Sequence, residues 1–531
     1  MRRVLVSSLL LASSVSSAYE LPFGINIQWP ANSAPNAEVA SESRAPRVAV
    51  IGAGAGGSSA AFWIAKAKER HGLDVEVDIY EQSDYIGGRS TTVYPHNDTS
   101  LVPIELGASI FVRVNKNMWR ASEEFNISRY GFEDEEGALG IWDGTGFVLT
   151  QGENGGRLGS WLDNIKALWR YGYYSPTHTT KLVKDMTDKF VQLYTPAPPQ
   201  YTNIAELVDA FGWRELVTQT GSDYFQSNGI SKRYTNELIE AATRVNYAQD
   251  VDTIHALEAA CSLAASGAAS AVGGNWQIFD NFVKASGAHL HLNTKVNAIE
   301  RKSGSQWTVK TSHGAVDYKA VILATPYHTS DIILPSDLSK LIPKQPYIHL
   351  HVTLLSTTAP SYNPEYFGLA KGAKAPQMVL TTLDGVRNGG KVPEFNSINY
   401  LRKIVKKNAT EAKEGPEEWA VKIFSMAPVS DEWLSNLFQG QVGWVLRKEW
   451  DSYPVLPPTD TFPPVQLDQG LFYVNAFEPF ISTMETETVS SRYIVDWLLR
   501  EEFDSSICPP SAQNVSDART ADEDFVYGWD C

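Results

Sequence analysis

At 531 residues, of which 43% are hydrophobic and 11% aromatic, the chain is long enough to bury a large core and to divide into at least two domains. Its formal net charge of -16 sets aside nucleic acid and anionic membranes as electrostatic partners, because an acidic surface repels both. With 3 cysteines it is not a disulfide scaffold.

At the amino end, Arg2 and Arg3 precede an apolar stretch from Val4 to about Ala12, followed by Ser16, Ser17 and Ala18. A charged start, a short apolar run and a small-residue cleavage site predict a signal peptide over 1–18. Ser7, Ser8, Ser13 and Ser14 interrupt the run well short of the about 20 apolar residues a membrane span needs, and no other segment reads as transmembrane. The expected destination is the secretory pathway, either outside the cell or in a vacuole or lysosome. Sequons at Asn97, Asn126, Asn408 and Asn514 agree with it, and Cys508 and Cys531 are expected as a possible disulfide, leaving Cys261 as a small free core residue. Residues 19–45, with Pro22, Pro30 and Pro35 among Ser, Asn and Ala, read as a linker or surface arm.

The fold is expected to start at Arg47. Val48 to Ile51 reads as a buried strand, Ser58 to Arg70 as a helix and Val75 to Tyr80 as a second strand, which together make a βαβ unit. Gly52-Ala53-Gly54-Ala55-Gly56-Gly57 joins the first strand to the helix, and Glu81 ends the second strand. Gly52 permits the tight turn, Gly54 lets the backbone approach a pyrophosphate, and Gly57 lets helix and strand pack closely. The helix N-terminus offers its N–H groups to phosphate, and Glu81 is placed to accept from a ribose. This context makes the segment a dinucleotide site.

Further along, 111–272 is dominated by helical patterns such as Trp161 to Tyr171 and Lys181 to Tyr194, read as an inserted helical subdomain. Leu290 to Ile299, Trp307 to Thr311 and Tyr318 to Thr325 read as strands returning the chain to the first sheet. His349 to Leu355 and Val421 to Ser425 predict a substrate sheet within 331–465. Leu471 to Asn475 predicts a strand and Thr483 to Glu501 a long helix, the two elements of 466–503, and 504–531 reads as a polar tail. The cofactor domain is thus expected in two parts, 46–110 and 273–330.

Gly87-Gly88-Arg89 resembles the second pyrophosphate-contacting turn of flavin oxidases of the glutathione reductase and amine oxidase type, which makes FAD the expected dinucleotide. In physical terms Gly88 allows close approach and Arg89 adds a charge-assisted contact. Asn293 to Val296 resembles the strand at the adenine edge, and Glu105 to Ser109 the flavin-proximal strand. Asn475 to Glu478, followed by a helix, is expected to aim a positive helix end at the flavin. Glu478, Glu485 and Glu487 then read as complements to that helix dipole. The fold class is α/β: a Rossmann-type FAD-binding domain, a mixed-sheet substrate domain and the helical insertion.

From about Arg47 to Leu499 the chain resembles the prenylcysteine oxidase family. The stretches that carry the likeness are Leu168 to Tyr173, Asp188 to Phe190, Arg244 to Gln249, Gly273 to Asn275, Lys422 to Ser425 and Leu471 to Met484. Where that family has glycine after Tyr247, this chain has Ala248. The resemblance implies FAD-dependent cleavage of a prenylated cysteine: the carbon on sulfur loses hydride, water adds, and a prenyl aldehyde and free cysteine separate. Molecular oxygen takes the electrons and leaves as hydrogen peroxide. Such chemistry needs near-attack placement at about 3–3.5 Å and exclusion of bulk water more than a strong base.

Trp169, Tyr171, Tyr173 and Tyr174 are expected to line an isoprenoid pocket, although aromatic residues at helical spacing also make ordinary core. Arg244, Asn246 and Tyr247 are expected polar contacts, or else members of a structural network. His255 and His328 are read as packed histidines and no residue is assigned to catalysis. The sequence lacks Cys-x-x-Cys, His-Glu-x-x-His and Gly-x-Ser-x-Gly patterns, so neither a metal nor hydrolase chemistry is expected. Two other readings share the fold: a flavin oxidase acting on an amine or on another prenyl or thioether metabolite, and a non-catalytic flavin-containing lipid-binding protein.

Overall fold

The strand Arg47–Ile51 buries Val48, Ala49 and Val50 completely, because parallel neighbours flank it and the helix Ala55–His71 and the strand Gly314–Tyr318 pack against it. In a computed structural model, residues 45–131, 138–152, 165–265, 267–407, 417–509 and 525–531 are described. The signal peptide, the linker to residue 44 and the sequons at Asn408 and Asn514 lie outside them, whereas Asn97 and Asn126 are exposed.

Around that strand runs a six-stranded sheet in the order Gln466–Asp468, Leu471–Tyr473, Ala320–Leu323, Arg47–Ile51, Glu76–Tyr80, His289–His291. All pairings are parallel except that of the first two. The helix Ala55–His71 follows the first strand and ends at Gly72, whose φ of 67° closes it in the left-handed conformation. Trp276–Ser286 and the closing helix Met484–Phe503 both pack against it. The C-terminal chain therefore completes the amino-terminal sheet.

The expected strand Leu290 to Ile299 is two strands. His289–His291 takes the sheet edge, and Val296–Lys302 belongs with Gln306–Thr311 and Gly314–Tyr318 in a separate antiparallel meander. Ala320–Leu323 then returns to the main sheet beside Arg47–Ile51. The turn at Asn293, in the left-handed conformation, breaks the apolar run that suggested continuity.

A second, seven-stranded sheet runs Val442–Pro454, Tyr347–Thr357, Trp419–Ser425, Ser397–Lys403, Met378–Thr381, Leu139–Trp142, Phe147–Gln151. Of its pairings only that of Met378–Thr381 with Leu139–Trp142 is parallel. Tyr174–Phe190, Glu240–Tyr247 and Ala256–Leu263 pack together as a helical cluster, and Glu240–Tyr247 lies against the strand Met378–Thr381 of this second sheet.

The polar tail is corrected at its end. Val526 and Tyr527 are buried, and Trp529 packs with ring centroids 5.0 Å from Phe62 and 5.3 Å from Trp63. Arg70 donates to the Gly528 carbonyl at 2.7 Å, and the Cys508–Cys531 disulfide spans a Cα separation of 5.4 Å. Cys261 is free.

Candidate active site

Two cavities meet between the sheets. The first, of about 340 Å³, lies along the C-terminal ends of the Rossmann strands, where Gly52, Gly54, Gly87, Gly88, Arg89 and Glu81 form its wall. Here the sequence leaves no room for side chains. A Cβ on Gly52 would stand 2.5 Å from the Ala324 carbonyl oxygen, and one on Gly57 would stand 1.9 Å from that of Gly52. Gly57 thus serves packing and lies behind the cleft wall. No side chain caps the helix that begins at Ala55 and no acidic residue occupies its first turn, so its positive end is open to an anion.

Glu81 holds this turn in shape: its carboxylate accepts from the backbone N–H groups of Ala53 and Ser83, both at 2.8 Å. Arg89 donates to a carboxylate oxygen of Glu478 and, at 3.1 Å, to the Ser452 carbonyl. The Tyr347 hydroxyl donates to the other Glu478 oxygen. The Val296 side chain is buried in the core, and the N–H groups of Asn293 and Thr294 bond to the carbonyls of Ser83 and Glu81, which holds this segment against the turn after Glu81.

The three glutamates near the last helix do more than complement its dipole. Glu478 anchors Arg89. Glu485, fully buried, accepts from the N–H groups of Asn117 at 2.8 Å and Met118 at 2.9 Å, and so caps the start of the Lys116–Glu124 helix. Glu487 lines the cleft with one carboxylate oxygen unpartnered, and burial pushes its carboxyl well up. Thr483 and Thr486 cap the last helix reciprocally.

The cleft suits a dinucleotide cofactor. Asn475 Oδ1 and Glu487 Oε1 are buried polar atoms with no protein partner, on the wall of a cleft floored by glycine backbone and one open helix end. The residues fit FAD: glycine turns for the pyrophosphate, Glu81 at the ribose position, and Asn475 and Glu487 offering polar atoms to the remainder.

The second cavity, of about 580 Å³, shares Gly107, Ala108, Phe424, Tyr453, Ser482 and Thr483 with the first. Its walls are mainly apolar, from Ile104, Phe111, Val112, Met186, Phe190 and Leu401, with a few polar groups converging on it. Among these, Lys422 and Glu105 form a buried ionisable pair. Lys422, on the strand Trp419–Ser425, donates to Ser109 Oγ at 2.8 Å and to the Glu105 carbonyl at 3.0 Å. Glu105 accepts from the Asn275 N–H through Oε1, while its Oε2 has no partner. Burial pushes the Glu105 carboxyl up and the Lys422 ammonium down, and each charge partly offsets the other's shift.

The residues expected at the pocket divide sharply. Asn246 and Tyr247 line the cavity, Asn246 holding the Ala242 carbonyl at 3.0 Å and Tyr247 packing edge-on to Tyr453 at 5.8 Å. Arg244 does not reach it, being paired with Asp250 and, at 3.0 Å, with Thr381. Trp169 is 92% exposed and Tyr173 75% exposed, both outside the cavity, and Tyr174 is also on the surface. Tyr171 is buried elsewhere and donates to Glu237 at 2.8 Å. Cys261, expected in the core, is on the cavity wall. His255 is buried, its Nδ1 accepting the Glu258 N–H at 3.2 Å, and His328 sits 3.0 Å from the Ile342 carbonyl. Sequence reasoning quoted Lys422 and Glu105 only within stretches of family likeness and missed their roles at the cavity; a lysine inside the otherwise apolar run Val421 to Phe424 was a signal for the first.

Ala248 takes φ 54° at the end of the Glu240–Tyr247 helix, so the left-handed turn that suits glycine persists with alanine there.

A dinucleotide cleft that opens onto a mostly apolar cavity in this fold is that of an FAD-dependent oxidoreductase. Among solved structures, a redesigned putrescine oxidase superposes with a TM-score of 0.56 at 15% identity, over 86% of this chain and 99% of the other. A conjugated-linoleate-producing fatty acid isomerase from P. acnes gives 0.57 at 14%, over 87% and 99%. At such identities they establish the fold alone. A model of the NAD(P)-binding Rossmann-like domain matches residues 50–125, and one of prenylcysteine lyase matches residues 157–506. Farnesylcysteine lyase of Arabidopsis thaliana is 31% identical over 477 residues, 86% of this chain and 90% of that protein. Prenylcysteine oxidase 1 of Homo sapiens is 28% identical over 482 residues, 85% of this chain and 88% of that protein. The chain belongs to the prenylcysteine lyase family.

Proposed function

We propose that this protein cleaves the thioether of a prenylated cysteine, with molecular oxygen as the final acceptor. The observation that carries the reading is the apolar cavity of about 580 Å³ sharing a wall with the cofactor cleft. An isoprenoid held there reaches the cleft with its thioether end, and apolar walls keep bulk water out.

When bound, FAD supplies the hydride acceptor. The carbon attached to sulfur loses hydride, and the resulting cation, shared with sulfur and the allylic double bond, takes up water. That addition releases a proton, and the unpartnered Glu105 Oε2 in the cavity wall is the atom to receive it. Lys422, beside it, lowers the cost of the negative charge that Glu105 carries before it takes the proton. The hemithioacetal then collapses: the C–S bond breaks, sulfur leaves with a proton as cysteine thiol, and the carbon becomes an aldehyde. Two electrons and two protons pass to oxygen as hydrogen peroxide.

The exposed sequons at Asn97 and Asn126 and the Cys508–Cys531 disulfide support a secretory route for the chain.

The test is an anaerobic titration of the flavin-loaded protein with farnesylcysteine, followed by admission of air. Bleaching of the visible flavin band, its recovery in air, and one aldehyde per peroxide are expected. A flavin that stays oxidised with farnesyl and geranylgeranyl cysteine but bleaches with amines would replace this reading with an amine oxidase.

A further inference from the structure

Beside the cofactor cleft, which takes Asp451 into its wall while His349, His351 and Glu449 stay outside both cavities, the ribbon formed by Tyr347–Thr357 and Val442–Pro454 carries two histidines facing two carboxylates. The antiparallel register sets His349 opposite Asp451 and His351 opposite Glu449. The intervening residues, Leu350 and Val352, turn to the other face and line the cofactor cleft. A His-x-His pair on one strand and a Glu-x-Asp pair on its neighbour therefore project together.

Their atoms converge. Glu449 Oε2 stands 3.5 Å from His349 Nε2 and 3.6 Å from His351 Nδ1. The three prospective ligand atoms lie within 4.8 Å of one another. Ligands about 2.1 Å from a tetrahedral ion are roughly 3.4 Å apart, so the observed spacing needs little adjustment to receive one. The fourth group acts on a ring instead of on the ion, since Asp451 Oδ1 lies 3.1 Å from His349 Nδ1, the ring nitrogen that points away from Glu449. A proton held there by Asp451 leaves the lone pair on Nε2 directed at the cluster, which is how carboxylates orient metal-bound histidines. The rings of His349 and His351 are nearly perpendicular, at 84°, so they approach a common point from different directions.

We propose that His349, His351 and Glu449, oriented by Asp451, form a binding site for a divalent transition-metal ion of the zinc class. Two imidazoles and one carboxylate suit such an ion better than calcium or magnesium, which favour all-oxygen shells. With Glu449 65% and His349 58% exposed at the side chain, solvent supplies the fourth ligand. The ion would clamp the edge strand of the seven-stranded sheet to its neighbour directly behind the cofactor cleft. The linear sequence, from which no metal is expected, does not display these residues as a group, because they meet only across the strand pairing.

The test is calorimetric titration of the chelator-treated, flavin-loaded protein with Zn²⁺. One saturable equivalent is expected. His349→Ala and His351→Ala should each weaken it at least about tenfold, Asp451→Asn about 10- to 100-fold, and the double histidine variant should abolish it. Retained flavin content shows that each variant is folded, and Glu449→Gln, an exposed change on the edge strand, replaces any that is not. Absence of saturable binding in the unaltered protein, or an undiminished single equivalent in the double histidine variant, would overturn the proposal.

Discussion

Arg89 and Glu478 are joined by a charge-assisted hydrogen bond, although 389 positions separate them in the chain. The pair ties the second glycine turn to the segment that leads into the last helix, one on each side of the cofactor cleft. Glu478 is almost wholly buried, at 2% side-chain exposure, whereas 33% of the Arg89 side chain remains open to the cleft. Glu478→Ala removes the partner of both Arg89 and Tyr347. It should cost about 3 kcal/mol, at the low end for a buried pair because Arg89 keeps some access to water. The expected readout is loss of flavin on gel filtration together with a lower denaturation midpoint.

Glu105→Gln keeps the shape of the cavity wall but removes the proton acceptor. Turnover should fall on the order of a hundredfold, within the usual range for a lost general base, while flavin content is retained. Because the carboxyl of Glu105 is pushed up by burial, the unaltered protein should lose activity toward acidic pH as Oε2 becomes protonated. The variant should lack that acidic limb. A pH profile of the turnover rate at saturating substrate checks both points.

Glu258, buried beneath Tyr247, has its carboxyl pushed up by burial to about 8 from an ordinary value of 4.5. Between those values the folded protein holds a proton that the unfolded chain has released, so this group lowers stability as pH rises. Glu258→Gln needs no proton. Its stability advantage should be absent below about pH 4.5 and grow up to about pH 8, with an upper bound of about 3 kcal/mol at pH 7. Denaturant unfolding at pH 5 and pH 7.5 measures the difference, and an advantage that shrinks between them would reverse the assignment.

Cys508 and Cys531 close a loop of 23 positions around the tail that packs on Trp63. Opening it by Cys508→Ser should cost about 3 kcal/mol, through the freedom returned to the unfolded chain. Thermal unfolding with and without reductant should show the same loss in the unaltered protein and none in the variant.

The dinucleotide half of the site was legible because its signals are local. Gly52, Gly54, Gly57 and Glu81 lie within one βαβ unit, and each answers a backbone requirement that only glycine, or a carboxylate at a strand end, meets. The apolar cavity was not legible, since its walls come from segments as far apart as Phe111, Met186, Asn246 and Leu401. Trp169 and Tyr173 misled because aromatic character says nothing of whether a side chain faces inward: Trp169, on a helix, and Tyr173, in the turn that follows, both stand in water. Arg244 failed for a related reason, as its charge is already matched by Asp250. Lys422 could be read only as one polar residue in a buried strand, and its meaning depends on Ser109 and Glu105 from a distant segment.

The strand Leu471–Tyr473 and the helix Met484–Phe503 complete a sheet that begins at Arg47, and both cavities take wall residues from the turn between them. During synthesis these elements leave the ribosome after nearly everything they join. The amino-terminal glycine turns must therefore wait, without a far wall, until the segment from Asn475 to Glu487 has been made. A chain stopped before residue 466 lacks the wall that Asn475, Glu478, Ser482, Thr483, Met484 and Glu487 give the cofactor cleft, and should stay colourless. Yellow colour then reports that synthesis has passed the last helix, and flavin capture becomes a checkpoint against chains that stop short of it.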